Sequence, residues 1–407
     1  MRRTLLIVGG SVETTPAVRL AQQMGLHVVV SDMNPQAPAL AVADGQIIAS
    51  TYDVDATLNG VRSYCRDNRP IDGVICVATD VPLTVASVAA EFSVPGIPLE
   101  AAQLAMDKLA MKRRFTVDGV AIPWFCQIES AAQLKRLARE WDFSLVIKPV
   151  DSRGARGVLR LSSEVDLDWA FAHASDNSPT ERVMVEEFLA GPQVSTESLV
   201  IDGVCHTPGF SDRNYELLER YAPHMIENGG DLPSHLSAAV QQQVKELVAR
   251  AASSMGITNG VVKGDIVITD GTPRVIELAA RLSGGYFCSH EIPLNTGVDL
   301  VGCAIRQCLG EKIDPAELRP RFQRPICQRY LFPEPGEVVS VSDADSVARL
   351  PGVELCEVRV QPGDKVQPVN CHPARAGVVI CSGETRQLAA ARAEAAVAAV
   401  QIVIRSI

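Results

Sequence analysis

Between residues 4 and 120, short apolar runs alternate with stretches in which apolar side chains recur at helical spacing. Residues 5–8 are uniformly apolar, as a strand covered on both faces requires, and Gly9-Gly10-Ser11 turns the chain into a helix over about 16–24. Gly25 ends that helix. Residues 27–30 form the next strand, closing on Ser31-Asp32, and residues 73–77 another, closing on Ala78-Thr79-Asp80 before a helix over 85–92. Strand, helix and strand in this order predict a doubly wound parallel sheet, with ligands at the carboxyl ends of its strands. Those ends carry Gly10 and Asp80, which become candidate substrate contacts. A dinucleotide fingerprint would need a further spaced glycine where this chain has Ser11-Val-Glu-Thr-Thr15, so a small substrate or a purely structural lobe fits the crevice better than NAD.

A helix is predicted over 107–115, with Lys108 as a candidate. Ser130-x-x-Gln133 is a capping box opening another, with Leu134, Leu137, Ala138 and Trp141 on one face. Residues 145–150 read as a strand ending at Lys148. The loop Asp151-Ser152-Arg153-Gly154-Ala155-Arg156-Gly157 follows, with a returning strand over 158–161. A small-residue loop of this kind folds its amides over phosphates, with Lys148 as a point charge beneath and two arginines beside it. Residues 183–189 form a strand, and 193–201 with 204–210 form a hairpin around Asp202-Gly203. A long polar connection over 211–233 carries Arg213, Tyr215, Tyr221 and His224, and a helix covers about 236–255.

The densest pattern lies over 261–285. Asp270-Gly271 is a strong hairpin signal between two β-branched runs, and a loop centred on Gly271 sets Asp265 opposite Glu277. Opposed residues have Cβ atoms roughly 5 Å apart, where like charges repel unless a cation lies between them. Mg²⁺ takes carboxylate oxygens together with substrate phosphates. Arg281 shares a face with Glu277, and Ser283-Gly284-Gly285 offers backbone amides at the strand end. Two carboxylates, an arginine and a glycine turn suit phosphoryl chemistry.

Beyond about residue 325 the pattern changes to short strands over 326–332, 353–360 and 376–381, with a final alanine-rich helix over 385–403. This predicts a small α+β module. The organisation expected is therefore mixed α/β and α+β: an N-terminal doubly wound parallel-sheet domain over 1–105, a central two-lobed domain over 106–320 (lobes 120–190 and 191–320), and the C-terminal module over 321–407. The chain has 407 residues and 47% hydrophobic content, enough for packed cores, and a net charge of −10 without a basic run argues against nucleic acid or an anionic membrane as partner. Its 11 cysteines include no CxxC pair, and the apolar run at residues 5–8 is too short for a signal segment. A soluble cytoplasmic protein is expected.

Lys108, Val146-Ile-Lys-Pro149, the loop from Ser152 to Gly157, Val185-Glu-Glu-Phe-Leu189 and Glu277-x-x-x-Arg281 occur in an order that resembles ATP-grasp enzymes. The chain most resembles their carboxylate–amine ligases, and more distantly biotin carboxylase and phosphoribosylglycinamide synthetase. The C-terminal Pro362-Gly-Asp-Lys365, Arg375-Ala-Gly377 and Gly383-Glu-Thr385 are carboxylase-like.

The resemblance implies ATP between two lobes, with Lys108 and Lys148 on its phosphates. Ser152, Arg153, Gly154, Arg156 and Gly157 would close over it, and Glu186, Glu187, Phe188 and Leu189 would receive the adenine. Gln193 would face the ribose. Asp265 and Glu277 would hold Mg²⁺, with Mn²⁺ as the alternative ion. Arg281, with Lys148, would carry the chemistry by stabilising an acyl phosphate. The implied activity joins a small carboxylate to an amine of amino-acid-like molecules, releasing ADP and phosphate; a nucleotide-precursor or carboxylase-type enzyme, or a nucleotide-binding protein without turnover, is the alternative. Substrate contacts fall to Gly10, Asp80, Arg213, Tyr215, His224, Ser283, Gly284 and Gly285. A homodimer is the family expectation. The pattern departs from the family at Gln193 and Asp265, where glutamates are usual, and at Ala279, where an asparagine commonly completes a second metal site. One firmly held ion and a weaker second follow.

Overall fold

The computed structural model describes residues 2–342 and 344–406. The N-terminal sheet is parallel throughout, in the order Gly45–Ile48, His27–Asp32, Thr4–Val8, Gly73–Cys76. Thr4–Val8 is central and wholly buried, which explains its unbroken apolar run. Gly9 leaves it with φ +104°, and a Cβ there would lie 2.2 Å from Thr79 Oγ1, so the loops that follow Thr4–Val8 and Gly73–Cys76 touch. The edge strand Gly45–Ile48 escapes the hydrophobic pattern because only Ile47 in it is buried.

Residues 125–187 build a first lobe: an antiparallel sheet ordered Phe125–Ile128, Val183–Glu187, Leu145–Pro149, Leu159–Arg160. Helices Ala131–Glu140 and Leu167–Asp176 close one core with it around Leu134, Ile147, Leu159 and Val185. Ser130 Oγ caps the first helix by accepting from Gln133 N at 3.3 Å.

The second lobe is larger than the sequence pattern suggests. Its sheet has eight strands, in the order Thr272–Ala279, Gly260–Thr269, Gln193–Ile201, Val204–Arg213, Gly230–Leu232, Ile326–Tyr330, Gly377–Ser382, Val353–Val358. Three strands of the C-terminal module, from beyond residue 320, therefore continue the central sheet. Helix Arg386–Ala399 covers them, and Ile402–Arg405 is a strand paired with Gly336–Val341, where the sequence pattern carries the helix to residue 403. The β-branched run Val400, Ile402, Val403, Ile404 breaks the alanine-rich pattern at that point.

Glu197, wholly buried in the central sheet, accepts from Ser283 N at 2.7 Å and from Ser283 Oγ, and so ties the sheet to the turn after Arg281. Burial pushes its carboxyl up to about 7, against the opposing pull of the Ser283 hydrogen bonds. The folded state thus holds this proton more tightly than the unfolded chain. Its contribution to stability is complete below the ordinary glutamate range and is lost as pH rises towards 7. Denaturant unfolding of Glu197→Gln is expected to lose the wild-type fall in stability between about pH 4.5 and 7, a difference on the order of 2–3 kcal/mol; parallel pH profiles for the two proteins would contradict it.

Candidate active site

The hairpin Gly260–Thr269 to Thr272–Ala279 turns on Asp270 and Gly271, both with positive φ (51° and 73°), as a two-residue primed turn requires. That turn alone would pair Asp265 with Ile276. A bulge at Ile276 shifts the register by one, and Asp265 faces Glu277. Cations surround the pair. Lys263 Nζ lies 2.5 Å from both oxygens of Asp265, Arg213 Nη1 2.9 Å from Oδ1, and Ser195 Oγ donates to Oδ1 at 2.9 Å. Burial opposes ionisation of Asp265, but Arg213 and Lys263 outweigh it and hold the carboxyl well below its ordinary range. Glu277 keeps an open edge, with Lys108 Nζ at 3.3 Å. Lys263 also stands directly opposite Ala279 in the ladder. Among the described residues there is no group of three or more His, Cys, Asp or Glu that could hold a metal. The all-oxygen pair fits one hard cation at Glu277 completed by phosphate oxygens, whereas Asp265 would share its charge with Lys263.

Across the cleft the first lobe presents a buried ion cluster. Lys148 Nζ meets Glu186 Oε1 at 2.5 Å, and Lys112 Nζ lies 2.9 Å from Oε2. Burial lowers the Lys112 ammonium pKa, while Glu186, despite its burial, is held below its ordinary range by the two lysines. The Glu186 side chain is therefore committed to holding Lys148, and only its backbone is left for an adenine. Lys108 opens its helix behind the Asp107 cap, with its N–H on Val150 O at 3.0 Å and its Nζ on Ser152 O at 2.6 Å. The glycine loop is thereby fixed from below. Gly154, Gly157 and Ala155 all have positive φ, and a Cβ on Gly157 would lie 2.8 Å from Pro149 Cγ.

Three parts of the chain meet around Arg281. Its guanidinium grips Asp80 from the N-terminal sheet through Nε and, at 3.0 Å, through Nη2. A bridge between Val77 and Leu282 sets these strands side by side. Nearby, Glu13 accepts from Gly285 N and from Arg359 Nη2, each at 2.7 Å, and so joins the N-terminal domain, the grasp and the C-terminal strands.

Two cavities open on this junction, of about 430 Å³ and 220 Å³, and share Asp80, Arg153, Gly154, Arg213, Lys263, Arg281 and His372. The smaller is lined by Lys108, Lys148, Ser152, the strand end Glu186 to Leu189, Gln193, Tyr215, Asp265 and Glu277. Arg156, Ser283, Gly284 and Gly285 line the larger. Two of the substrate candidates lie elsewhere. Gly10 donates its N–H to Asp32 Oδ2 at 2.7 Å, and Ser11 to Glu13 take the place beside the cavity. His224 packs among Trp169 and His173 of the first lobe, an aromatic cluster that sequence spacing could not distinguish from a binding loop. Gly157 supports the loop without lining either cavity. Sequence reasoning missed Glu13, Lys112, Glu227, Glu291, Arg359, His372 and Arg375. A lone charge in an ordinary helix or strand carries no local signal, and only the converging sheets identify it.

Comparison with known proteins gives two family matches. Residues 105–285 match the ATP-grasp domain, and residues 329–405 match the L-amino acid ligase C-terminal domain 2. A protein of uncharacterised function from Sinorhizobium fredii, y4rH, is 24% identical over 401 residues, covering 96% of this chain and 80% of that protein. The D-alanine–D-alanine ligase of Bordetella avium is 25% identical over 209 residues, but the match spans only 49% of this chain and 62% of that enzyme. In fold, the chain is similar to the L-amino acid ligase from Bacillus licheniformis, with a TM-score of 0.83 at 21% identity over 100% of this chain and 99% of that one. It is also similar to phosphoribosylglycinamide synthetase from Anaerococcus prevotii, with a TM-score of 0.76 at 16% identity and full coverage of both chains. The ordered motifs, the two-lobed cleft and the matched domains agree: residues 105–285 form an ATP-grasp domain, and residues 329–405 form a domain of the kind that closes L-amino acid ligases.

Proposed function

We propose that the protein joins the carboxylate of one amino-acid-like molecule to the amine of another, converting ATP to ADP and phosphate. The observation that carries this reading is the meeting of two cavities at Arg281. One has the lysines and strand end suited to a nucleotide, and the other has the charged walls suited to small zwitterions. In the smaller cavity, Lys108 and Lys148 would neutralise phosphates from opposite sides, under the loop from Ser152 to Gly157. The backbone of Glu186 to Leu189 would face the adenine edge, and Gln193 the ribose. A Mg²⁺ ion would sit against Glu277 and the phosphates, near Asp265, and when bound supplies charge neutralisation to the transferring group.

The substrate carboxylate oxygen attacks the γ-phosphorus, the bond to the β-bridging oxygen breaks, and ADP leaves. Arg281, held in line by Asp80, faces the resulting acyl phosphate. The amine nitrogen then bonds to the acyl carbon, phosphate departs with the former carboxylate oxygen, and the amine releases a proton. The chain's contribution is position and fixed positive charge, the terms that dominate such transfers. Eleven free cysteines among the described residues support a reducing compartment such as the cytoplasm, and no helix among those residues is long and apolar enough to cross a membrane.

Phosphate release from ATP and Mg²⁺ with pooled amino acids is expected to depend on the pool and to fall at least about 100-fold in Glu277→Ala, the scale of losing one fixed group at a transferring phosphoryl. Release that is independent of the pool, or unchanged in the variant, would contradict the ligase reading.

Lys112→Met leaves Glu186 and Lys148 as a two-membered buried cluster. It is expected to raise KM for ATP about tenfold with a smaller change in kcat, and to cost on the order of 3 kcal/mol in denaturant unfolding; an unchanged KM would exclude the positioning role. Gly157→Ala forces a side chain into a left-handed position against Pro149. A rise in KM for ATP of several-fold, with KM for the amino acids unmoved, is the expected result.

A further inference from the structure

Three successive carbonyls of the glycine loop are held by hydrogen bonds. Lys108 Nζ donates to Ser152 O at 2.6 Å, Arg156 Nη1 to Arg153 O at 3.2 Å, and His372 N to Gly154 O at 2.9 Å. The side chain of Arg153 makes a contact of a different kind. It reaches the N-terminal domain, where its guanidinium lies 4.1 Å over the ring of Tyr52. Among the described residues it has no carboxylate partner, which sets it apart from Lys148, Lys263, Arg213 and Arg281 around the same cavities.

Tyr52 is 53% exposed, yet the backbone beneath it is fixed. Ser50 O accepts from Thr57 Oγ1 at 2.9 Å and from Asp53 N at 3.1 Å, and Thr51 O accepts from the buried Thr84 Oγ1 at 2.7 Å. Asp53 then caps the helix Val54–Asp67, accepting from Ala56 N at 2.9 Å. An exposed ring on a backbone tied on both sides is a fixed platform for the group that lies over it. A guanidinium is drawn to such a ring by the quadrupole of its face, an attraction that needs the ring and not the hydroxyl.

Arg153 lines both cavities, whereas Tyr52 lines only the larger. The stack therefore stands at the seam between the nucleotide side and the amino-acid side. It joins the loop of the first lobe to a domain whose own sheet is separate from the sheets of both lobes. We infer that Tyr52 is a positioning residue for phosphoryl transfer: its ring holds Arg153 and, through it, keeps the glycine loop closed over the phosphates of ATP. The inference rests on the nucleotide reading of the smaller cavity. Closure keeps the guanidinium beside the transferring group as fixed positive charge, and it keeps water out. Water attacking the γ-phosphorus gives ADP and phosphate, and water attacking the acyl phosphate returns the carboxylate and phosphate. Either path consumes ATP without joining the substrates.

The test uses the full chain with Tyr52→Leu, Tyr52→Phe and Arg153→Met. Tyr52 is exposed, so its variants should keep the wild-type unfolding midpoint. Three quantities are measured: the rate of tryptic cleavage after Arg153 and Arg156, the calorimetric Kd for MgATP, and the phosphate released per product formed. Tyr52→Leu keeps apolar bulk without the ring face. It is expected to speed cleavage several-fold, to weaken MgATP binding about three- to tenfold, the scale of a cation–π contact, and to raise the phosphate released per product. Tyr52→Phe keeps the ring and should match the wild type in all three. In MgATP binding, Tyr52→Leu should add nothing to Arg153→Met, because the tyrosine acts only through that arginine. Equal behaviour of the two Tyr52 variants would overturn the assignment, whether both match the wild type or both fail, as would additive losses in the double variant. Proteolysis and MgATP binding need no turnover, which separates this inference from the ligase reading. Absence of product with every pair of amino acids would reject the ligase, while the contrast between the two Tyr52 variants in those two measurements would keep the latch; a wild type that binds no MgATP would overturn both.

Discussion

Two carboxylates set opposite each other on one hairpin create a problem of charge that the surrounding structure has to solve. Like charges on directly opposed strand positions repel, and the chain answers with nitrogen cations from several elements: Lys263 from the same strand, Arg213 from the end of a strand two places along the sheet, and Lys108 from a helix outside the sheet. Each of these side chains reaches the cleft because a carboxylate is there to receive it. The cluster fixes where the lobes face each other, and with them the glycine loop that Lys108 holds from below.

The same logic extends outward as a chain of buried pairs. Lys112 and Lys148 share Glu186, Arg281 is clamped by Asp80, and Glu13 links Gly285 to Arg359. Buried ion pairs contribute little net stability, because desolvation consumes most of their attraction, but they fix geometry sharply. That suits a site whose work is the orientation of charged reactants. The N-terminal sheet, the two lobes and the C-terminal strands each place at least one member of these pairs, so the site is complete only when all of them are folded together.

Much of this was legible in the sequence where local chemistry is strong. The apolar runs of the parallel sheet, the Asp270-Gly271 turn and the lysine before the glycine loop each carry their own signature. Asp265 does face Glu277, but through a bulge at Ile276 that no sequence pattern announces. The small C-terminal module was legible as short strands and a final helix, but its three-strand continuation of the central sheet was not, because short alternating strands look the same whether they found a new sheet or extend an old one. Arg375 stood out only as part of a C-terminal motif and Glu227 not at all, for a related reason: their place in the site lies in which distant residues they meet, 3.7 Å apart across 148 positions of sequence. His224 shows the opposite error, since a histidine in a long polar loop looks functional until its aromatic neighbours are known.

The central claim is that a carboxylate is activated by phosphorylation at the junction around Arg281. It is tested most directly by labelling both oxygens of the carboxyl substrate with ¹⁸O and analysing the phosphate released during turnover by mass spectrometry. Transfer of one labelled oxygen into each phosphate is the result expected of an acyl phosphate. Unlabelled phosphate from a protein that is turning over ATP would show that the carboxylate was never phosphorylated, and the account of the site would fail with it.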